Sequence, residues 1–390
     1  MPARELIRLF LRLGFTAFGG PAAHIAIMKQ EVVQRRHWMM EAQFLDLLGA
    51  ANLIPGPNST EMAIYVGYVR GRWIGLVVAG VCFILPAAVI VSALAWAYLR
   101  FGALPQSAGL LYAVKPVIIA VVVQAIWGLL RPAAKTPVLI VIGIAALALA
   151  AYGANPLFLL SGAGALSGLI RWIRPPHGRE RPTAVSLAVL LAVSATMALV
   201  PTALTRLATP SAGTPFGLWP LFVFFLKVGG TLYGSGYVLL AFLRDGLVHQ
   251  WHWLTEAQLL DATAVGQVTP GPVFTTATFI GYILGGPIAA IVATLGIFLP
   301  SFVFVAVSGP LVPRLRNSPL TGAFLDGVNV AALALITAVM FQLARAALVD
   351  TFTIALAAVS AVLLVRYRVN SAWLIASAAV LGLATSWFGK

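Results

Sequence analysis

The sequence predicts an all-α polytopic membrane protein built from two inverted-topology repeats that contain broken or re-entrant helices. Its composition supports the membrane class, because 61% of the 390 residues are hydrophobic and only 9% are charged, against about 25% charged in a typical soluble domain. Apolar runs close to the roughly 20 residues that cross a bilayer recur along the chain. A repeat is also visible, since Pro55-Gly56-Pro57 returns as Pro270-Gly271-Pro272. Matching helix-breaking motifs in a repeated membrane protein point to its binding site.

The repeat extends well beyond the Pro-Gly-Pro motif. His37-Trp38 returns as His252-Trp253 at the same displacement of 215 positions (270 − 55). One deletion later the displacement is 214, and Gly67-Tyr68 returns as Gly281-Tyr282. We therefore divide the chain into three parts: a first repeat at 1–172, a basic loop and linker span at 173–212, and a second repeat at 213–390.

Each repeat is predicted to begin with two broken helical segments. In the first repeat, Gly19-Gly20-Pro21 interrupts residues 4–34 and Pro55-Gly56-Pro57 interrupts residues 41–70. Proline cannot continue a helix but suits the first turn of the next one. The flanking runs in 4–34, at about 14 residues each, are too short to cross roughly 30 Å of hydrocarbon. Basic residues at both ends favour a re-entrant hairpin, and one kinked spanning helix is the alternative for 4–34.

Four spans are predicted to complete each repeat, which gives about nine to thirteen membrane segments in all. They lie at about 73–99, 108–130, 136–152 and 155–171, and at about 286–308, 320–344, 350–365 and 371–388. An extra span at about 183–205 would make the second repeat start on the opposite side of the membrane, so that its orientation is inverted. The basic pair Arg70 and Arg72 is matched by the uncharged Leu284 and Gly286. Since basic loops stay in the cytoplasm, this difference favours inverted repeats.

The net charge of +14 indicates membrane orientation rather than a nucleic-acid partner. Most basic residues lie in short loops between apolar segments, as expected for cytoplasmic loops of a protein in a lipid bilayer. The single cysteine, Cys82, lies in a predicted span and can form no intramolecular disulfide. These features predict a multi-pass membrane protein.

The Pro-Gly-Pro breaks predict an anion site. A half-helix that starts after each break has backbone N–H groups without helical partners and the positive end of the helix dipole. Hydroxyl and amide side chains stand in the same turns, namely Asn58, Ser59, Thr60, Thr275 and Thr276. We expect the two turns to meet near the middle of the membrane as a cage of donors. The alternative is that these prolines only shape helix packing.

Further candidates for substrate binding are ranked behind that cage. They are Gly19, Gly20, Gly234 and Ser235 at the first break of each repeat, together with His24 and Lys115. An intramembrane cation such as Lys115 is costly and is a functional candidate by default. The candidate coupling residues are Glu61, Asp46 and Asp261. Glu61 is the only carboxylate beside a Pro-Gly-Pro motif and could take up a proton as an anion leaves.

Other chemistry has little support in the sequence. It contains no phosphate-binding loop of the Gly-x-x-x-x-Gly-Lys type and no His-Glu-x-x-His motif. Its five histidines and one cysteine show no metal-ligand spacing. We therefore expect no cofactor, no metal and no enzymatic activity. An intramembrane enzyme with His24 and Glu61 as acid and base is the alternative from another functional class.

These motifs resemble the chromate ion transporter family in its long, two-domain form, over essentially the whole chain. The resemblance rests on four stretches: Phe18–Ile25, Pro55–Thr60 with Gly67-Tyr68, Pro270–Tyr282, and Gly296–Phe302. It implies export of chromate, a tetrahedral dianion similar to sulfate, and chromate resistance in bacteria. The second repeat departs from the pattern at Gly234-Ser235-Gly236, so the halves could have divided their roles.

The resulting expectation is a secondary transporter that exports chromate by alternating access, with ion or proton coupling. The alternatives within transport are a carrier of sulfate or another anion, or a passive anion channel. A coupling proton and a second copy of this chain, in a homodimer, are the further candidate partners.

Overall fold

The computed structural model describes residues 2–17, 20–51, 54–101, 105–173, 216–232, 238–308, 319–367, 369 and 371–388. Every regular element within these ranges is a helix, which confirms the predicted all-α class. Among the described residues, four helical stretches are long and apolar enough to cross a membrane: Asn58–Phe101, Pro156–Ile173, Val273–Ser308 and Gly322–Arg345. The predicted linker span at 183–205 lies outside the described residues.

The first repeat contains seven helices in the described residues. They are α1 (Pro2–Thr16), α2 (Gly20–Lys29), α3 (Glu41–Ala51), α4 (Asn58–Phe101), α5 (Pro105–Ala133), α6 (Pro137–Ala151) and α7 (Pro156–Ile173). The second repeat contributes α8 (Leu218–Thr231), α9 (Val238–Leu243), α10 (Glu256–Val268), α11 (Thr276–Ser308), α12 (Pro319–Ala347), α13 (Thr351–Arg366) and α14 (Ser371–Phe388). Matching π-helical turns, Gln30–Arg35 and Arg244–Gln250, follow α2 and α9.

The two longest elements, α4 and α11, are helical hairpins rather than straight rods. The backbone leaves helical geometry at Gly71 and Arg72 in α4, and at the matching Gly285 and Gly286 in α11. Across the second of these turns, the hydroxyls of Thr278 and Thr294 lie 2.7 Å apart. In a straight helix these residues would be separated by about 24 Å. The predicted turn between each broken segment and the following span is therefore confirmed.

The first broken segment also doubles back. Arg12 in α1 and Glu31 in the π-helical turn form an ion pair of 2.6 Å, although a straight helix would hold them about 28 Å apart. The hairpin expected for residues 4–34 agrees with this contact, whereas a single kinked helix does not.

The internal repeat seen in the sequence is present in the backbone. His37 and His252, which match at displacement 215, share a left-handed conformation with φ of 51° and 54°. The ion pair between Lys29 and Glu41 (2.5 Å) has its counterpart 215 positions later, between Arg244 and Glu256 (2.6 Å). The same local structure is therefore built twice.

The two repeats interlock. Helix α5 packs against α13 and α14 of the second repeat, and α12 packs against α6 and α7 of the first. Two polar contacts across this junction are reciprocal. Tyr112 donates a hydrogen bond of 2.5 Å to Asp350, and Lys135 contacts Asp326 at 2.7 Å. Tyr112 matches Asp326 at displacement 214 (326 − 112), and Lys135 lies 215 positions before Asp350 (350 − 135). The contacts therefore fall at nearly matching places and agree with an approximate two-fold relation between the repeats. Their orientation relative to the membrane stays a prediction.

A cysteine-accessibility experiment tests the inverted orientation. In a Cys82→Ala background, Arg72→Cys is expected to react from the cytoplasmic side and Gly286→Cys from the outside. Both positions lie at matched turns, and Arg72 shows that a side chain is accommodated at a positive φ of 52° there. Labelling of both cysteines from the same side would contradict the inverted arrangement.

Candidate functional site

The two Pro-Gly-Pro loops lie buried where the repeats meet. The N–H of Gly56 donates to the carbonyl oxygen of Leu232 at 2.7 Å, and the N–H of Gly271 donates to that of Ala17 at 2.9 Å. Both donors and both acceptors match at displacement 215, so each loop is bonded to the end of the first helix of the opposite repeat. The glycines adopt φ of 137° and 91°, which glycine tolerates better than other residues. The loops therefore form a central junction between the repeats.

The first loop leads into α4 through three buried side chains. Ser59, Thr60 and Glu61 are 2%, 0% and 0% exposed. Among the described residues, the hydroxyl of Thr60 and both carboxyl oxygens of Glu61 have no hydrogen-bond partner. Asn58, the first residue of α4, is partly exposed and takes part in an interaction of its own.

The opposite repeat closes this pocket with Ser301 of α11. Its hydroxyl is fully buried and lies beside the Glu61 carboxyl, although this contact falls short of regular hydrogen-bond geometry. A β-carbon placed on Gly56 would lie 2.8 Å from the Ser301 hydroxyl and would collide with Glu61 Oε1. Both polar groups therefore face the bare Cα of Gly56. Unpaired buried polar atoms are costly and require an explanation, such as a ligand or water.

The second loop makes the matching hydrogen bond to the opposite repeat but has different polar chemistry. Thr275 and Thr276 are buried, and each hydroxyl donates to a carbonyl of its own loop, Pro272 and Val273 respectively, at 2.8 Å. The side chain facing Gly271 is Ala87, whose Cβ would lie 2.8 Å from an added β-carbon. The predicted donors of this loop are thus bonded to its own backbone.

His24 lies beside the second loop. Its Nε2 is 3.0 Å from the carbonyl oxygen of Ala17, which also accepts the N–H of Gly271. The imidazole is buried, and it packs edge-on against Phe83 with ring centroids 5.6 Å apart. Of the other candidates at the first breaks, Gly20 begins α2 with a φ of 77°. Gly19, Gly234 and Ser235 lie outside the described residues.

Lys115 and Asp261 are brought together across the repeats. The Lys115 ammonium lies 3.2 Å from Asp261 Oδ1, and the Tyr98 hydroxyl donates to Asp261 Oδ2 at 2.9 Å. The lysine and aspartate side chains are 19% and 4% exposed. The candidate cation thus neutralises a candidate coupling acid. Asp46, the matching acid of the first repeat, is half-buried and has an interaction of its own.

A further charged cluster surrounds Glu31 at the end of the first hairpin. Its carboxylate contacts Arg12, Arg35 and Arg36 at 2.6, 2.8 and 3.4 Å. Burial alone would raise the pKa of this carboxyl, but the three guanidinium groups outweigh burial and lower it. Glu31 therefore holds the hairpin together as an ionised group. Comparison of the two repeats does not single out Glu31, because the matching residue of the second repeat is Gly246 and not an acid.

Comparison with known proteins places these features in a family. The family model described as Chromate transporter matches residues 4–169 and 219–383. The chain belongs to the chromate transporter family. Each of the two matched blocks contains one of the Pro-Gly-Pro loops described above.

Curated relatives agree with this assignment. The chain is 34% identical to the chromate transport protein of Cupriavidus metallidurans, over 97% of this chain and 92% of that protein. It is 32% identical to the probable chromate transport protein of Synechococcus elongatus, with coverage of 91% and 88%. It is also 32% identical to the chromate transport protein of Pseudomonas aeruginosa, with coverage of 87% and 81%. No solved structure matches the chain. Family membership and the apolar helices make this a multi-pass membrane protein, and membership supports a role in chromate transport.

Proposed function

We propose that this protein is a secondary transporter that exports chromate across the bacterial inner membrane by alternating access. The anion would bind at the central junction of the two Pro-Gly-Pro loops, and its movement would be coupled to a proton. The observation that carries the proposal is the reciprocal bonding of each loop to the opposite repeat, beside buried polar groups without partners. A site at such a junction changes shape when one repeat moves against the other.

The chemistry of the junction fits a tetrahedral oxyanion. The hydroxyls of Thr60 and Ser301 are donors that are free to turn toward a ligand, and α4 begins next to them. The N-terminal end of a helix favours negative charge. Hydrogen bonds to an ionised acceptor in a site with little water are stronger than those between neutral groups. These groups would replace part of the hydration shell that the anion loses.

Glu61 is our candidate for the proton carrier. Its carboxyl is fully buried, has no counter-charge among the described residues, and has the Ser301 hydroxyl as its polar neighbour. An ionised carboxylate is costly in such a place, and a bound proton removes that cost. Glu61 would take up a proton as the anion leaves the junction, so that protons and chromate cross the membrane in opposite directions.

Uptake of labelled chromate into inverted vesicles tests the proposal. With an acidic vesicle interior, protons would leave as chromate enters, and chromate is expected to accumulate above its external concentration. Vesicles without the protein, and vesicles without the pH gradient, are the controls. A passive channel would instead equilibrate chromate without using the pH gradient. Accumulation of sulfate but not of chromate would contradict the proposed substrate.

A further inference from the structure

The two ends of the central junction differ in polarity although each makes the matching hydrogen bond to the opposite repeat. Ser301 and Ala87 occupy equivalent places at displacement 214 (301 − 87), and each faces the glycine of the opposite repeat's loop at 2.8 Å from an added β-carbon. One wall thus carries a hydroxyl where the other carries a methyl group. The two repeats therefore place equivalent residues at the junction, but the side chains at its two ends differ in chemistry.

The difference continues into the helix that follows each loop. At the first loop, Thr60, Glu61 and Ser301 bury side-chain oxygens that lack partners among the described residues. At the second loop, the hydroxyls of Thr275 and Thr276 are already donated to backbone carbonyls. A hydroxyl has one hydrogen to donate, so these two would first have to break a bond. Among the described hydroxyls at the two ends, those of Thr60 and Ser301 are the ones that have no regular hydrogen bond to break first.

We propose that the junction holds a single, one-sided oxyanion site at the first loop, with Ser301 as a substrate-binding residue supplied by the second repeat. This inference rests on the proposed function and refines it. Thr60 and Ser301 donate hydrogen bonds to the anion. The second loop has a structural role, since Gly271 is bonded to the Ala17 carbonyl, which also contacts His24.

The proposed site is formed by residues of both repeats. The helix start, Thr60 and Glu61 belong to the first repeat, whereas Ser301 lies just after Pro300 in the second. Movement of one repeat against the other would separate Ser301 from Thr60 and weaken the hold on the anion. The ligand class is a small tetrahedral dianion such as chromate or sulfate.

Chromate binding to the purified full-length protein tests the inference. Ser301→Ala is a conservative change, because alanine already stands at the equivalent place beside Gly271. We expect Ser301→Ala and Thr60→Val each to raise the Kd for chromate about tenfold, which corresponds to about 1.4 kcal/mol. The matched control, Ala87→Ser, should leave the Kd unchanged because the second end does not bind the anion. Thermal unfolding of each variant checks that the fold is kept.

Three outcomes would overturn this inference. A wild-type Kd in Ser301→Ala would remove the serine from the site. A loss in Thr275→Val as large as that in Thr60→Val would indicate a symmetric cage, and tighter binding in Ala87→Ser would place a binding surface at the second end. In each of these cases the transport proposal survives. Failure of the wild-type protein to bind or move chromate would instead contradict the proposed function itself.

Discussion

Glu61→Gln is expected to abolish the accumulation of chromate driven by a pH gradient while the protein still binds the anion. Glutamine has nearly the same size and keeps a hydrogen-bond donor, but it cannot take up or release a proton. A gradient of one pH unit supplies about 1.4 kcal/mol for each coupled proton, which allows about tenfold accumulation. The variant should therefore lose about tenfold accumulation per unit of gradient and only equilibrate chromate.

Measurement in inverted vesicles separates this effect from a folding defect. Chromate exchange at equal pH on both sides should persist in Glu61→Gln, because the junction and its hydroxyls remain. Glu5→Gln is a matched control, since it makes the same chemical change at a carboxylate that is 48% exposed and paired with Arg70. If Glu61→Gln still accumulated chromate on a pH gradient, another group would carry the proton.

The helices and their breaks could be predicted because their signals are local. Apolar runs of sufficient length give the spans, and the predicted span at 371–388 has the bounds of α14. Glycine and proline mark the breaks, as at Gly71 in α4 and Gly285 in α11. The internal repeat strengthened these predictions, because the breaks occur at matching positions in both repeats.

The contacts of the candidate site could not be predicted in the same way. Gly56 and Leu232 lie in different repeats, and no local pattern indicates that the first loop is bonded to that carbonyl. The sequence also does not show in which direction a hydroxyl points. Thr275 was expected to donate to an anion, but its hydroxyl donates to the carbonyl oxygen of Pro272. A comparison of the two copies could have revealed Ser301, since it replaces the alanine of the first repeat.

The other large effect is expected at the ion pair between Lys115 and Asp261. Lys115→Met keeps the length of the side chain but leaves Asp261 buried without its cation. Removal of one partner from a buried pair costs about 3–5 kcal/mol of folding free energy. We expect the lower end of this range, because Lys115 is 19% exposed and Tyr98 still donates to the aspartate. Thermal unfolding in detergent should show a clear drop in the midpoint.

The double variant Lys115→Met with Asp261→Leu separates a structural role from a functional one. Replacing both members of a buried ion pair by apolar groups is often nearly neutral, so its unfolding midpoint should return close to the wild-type value. If Lys115 also binds the oxyanion, chromate affinity will stay low in the double variant although its stability is restored. If affinity recovers together with stability, Lys115 serves the fold alone, and the positive charge near the anion must come from elsewhere. A wild-type midpoint in the single variant would contradict the pairing itself.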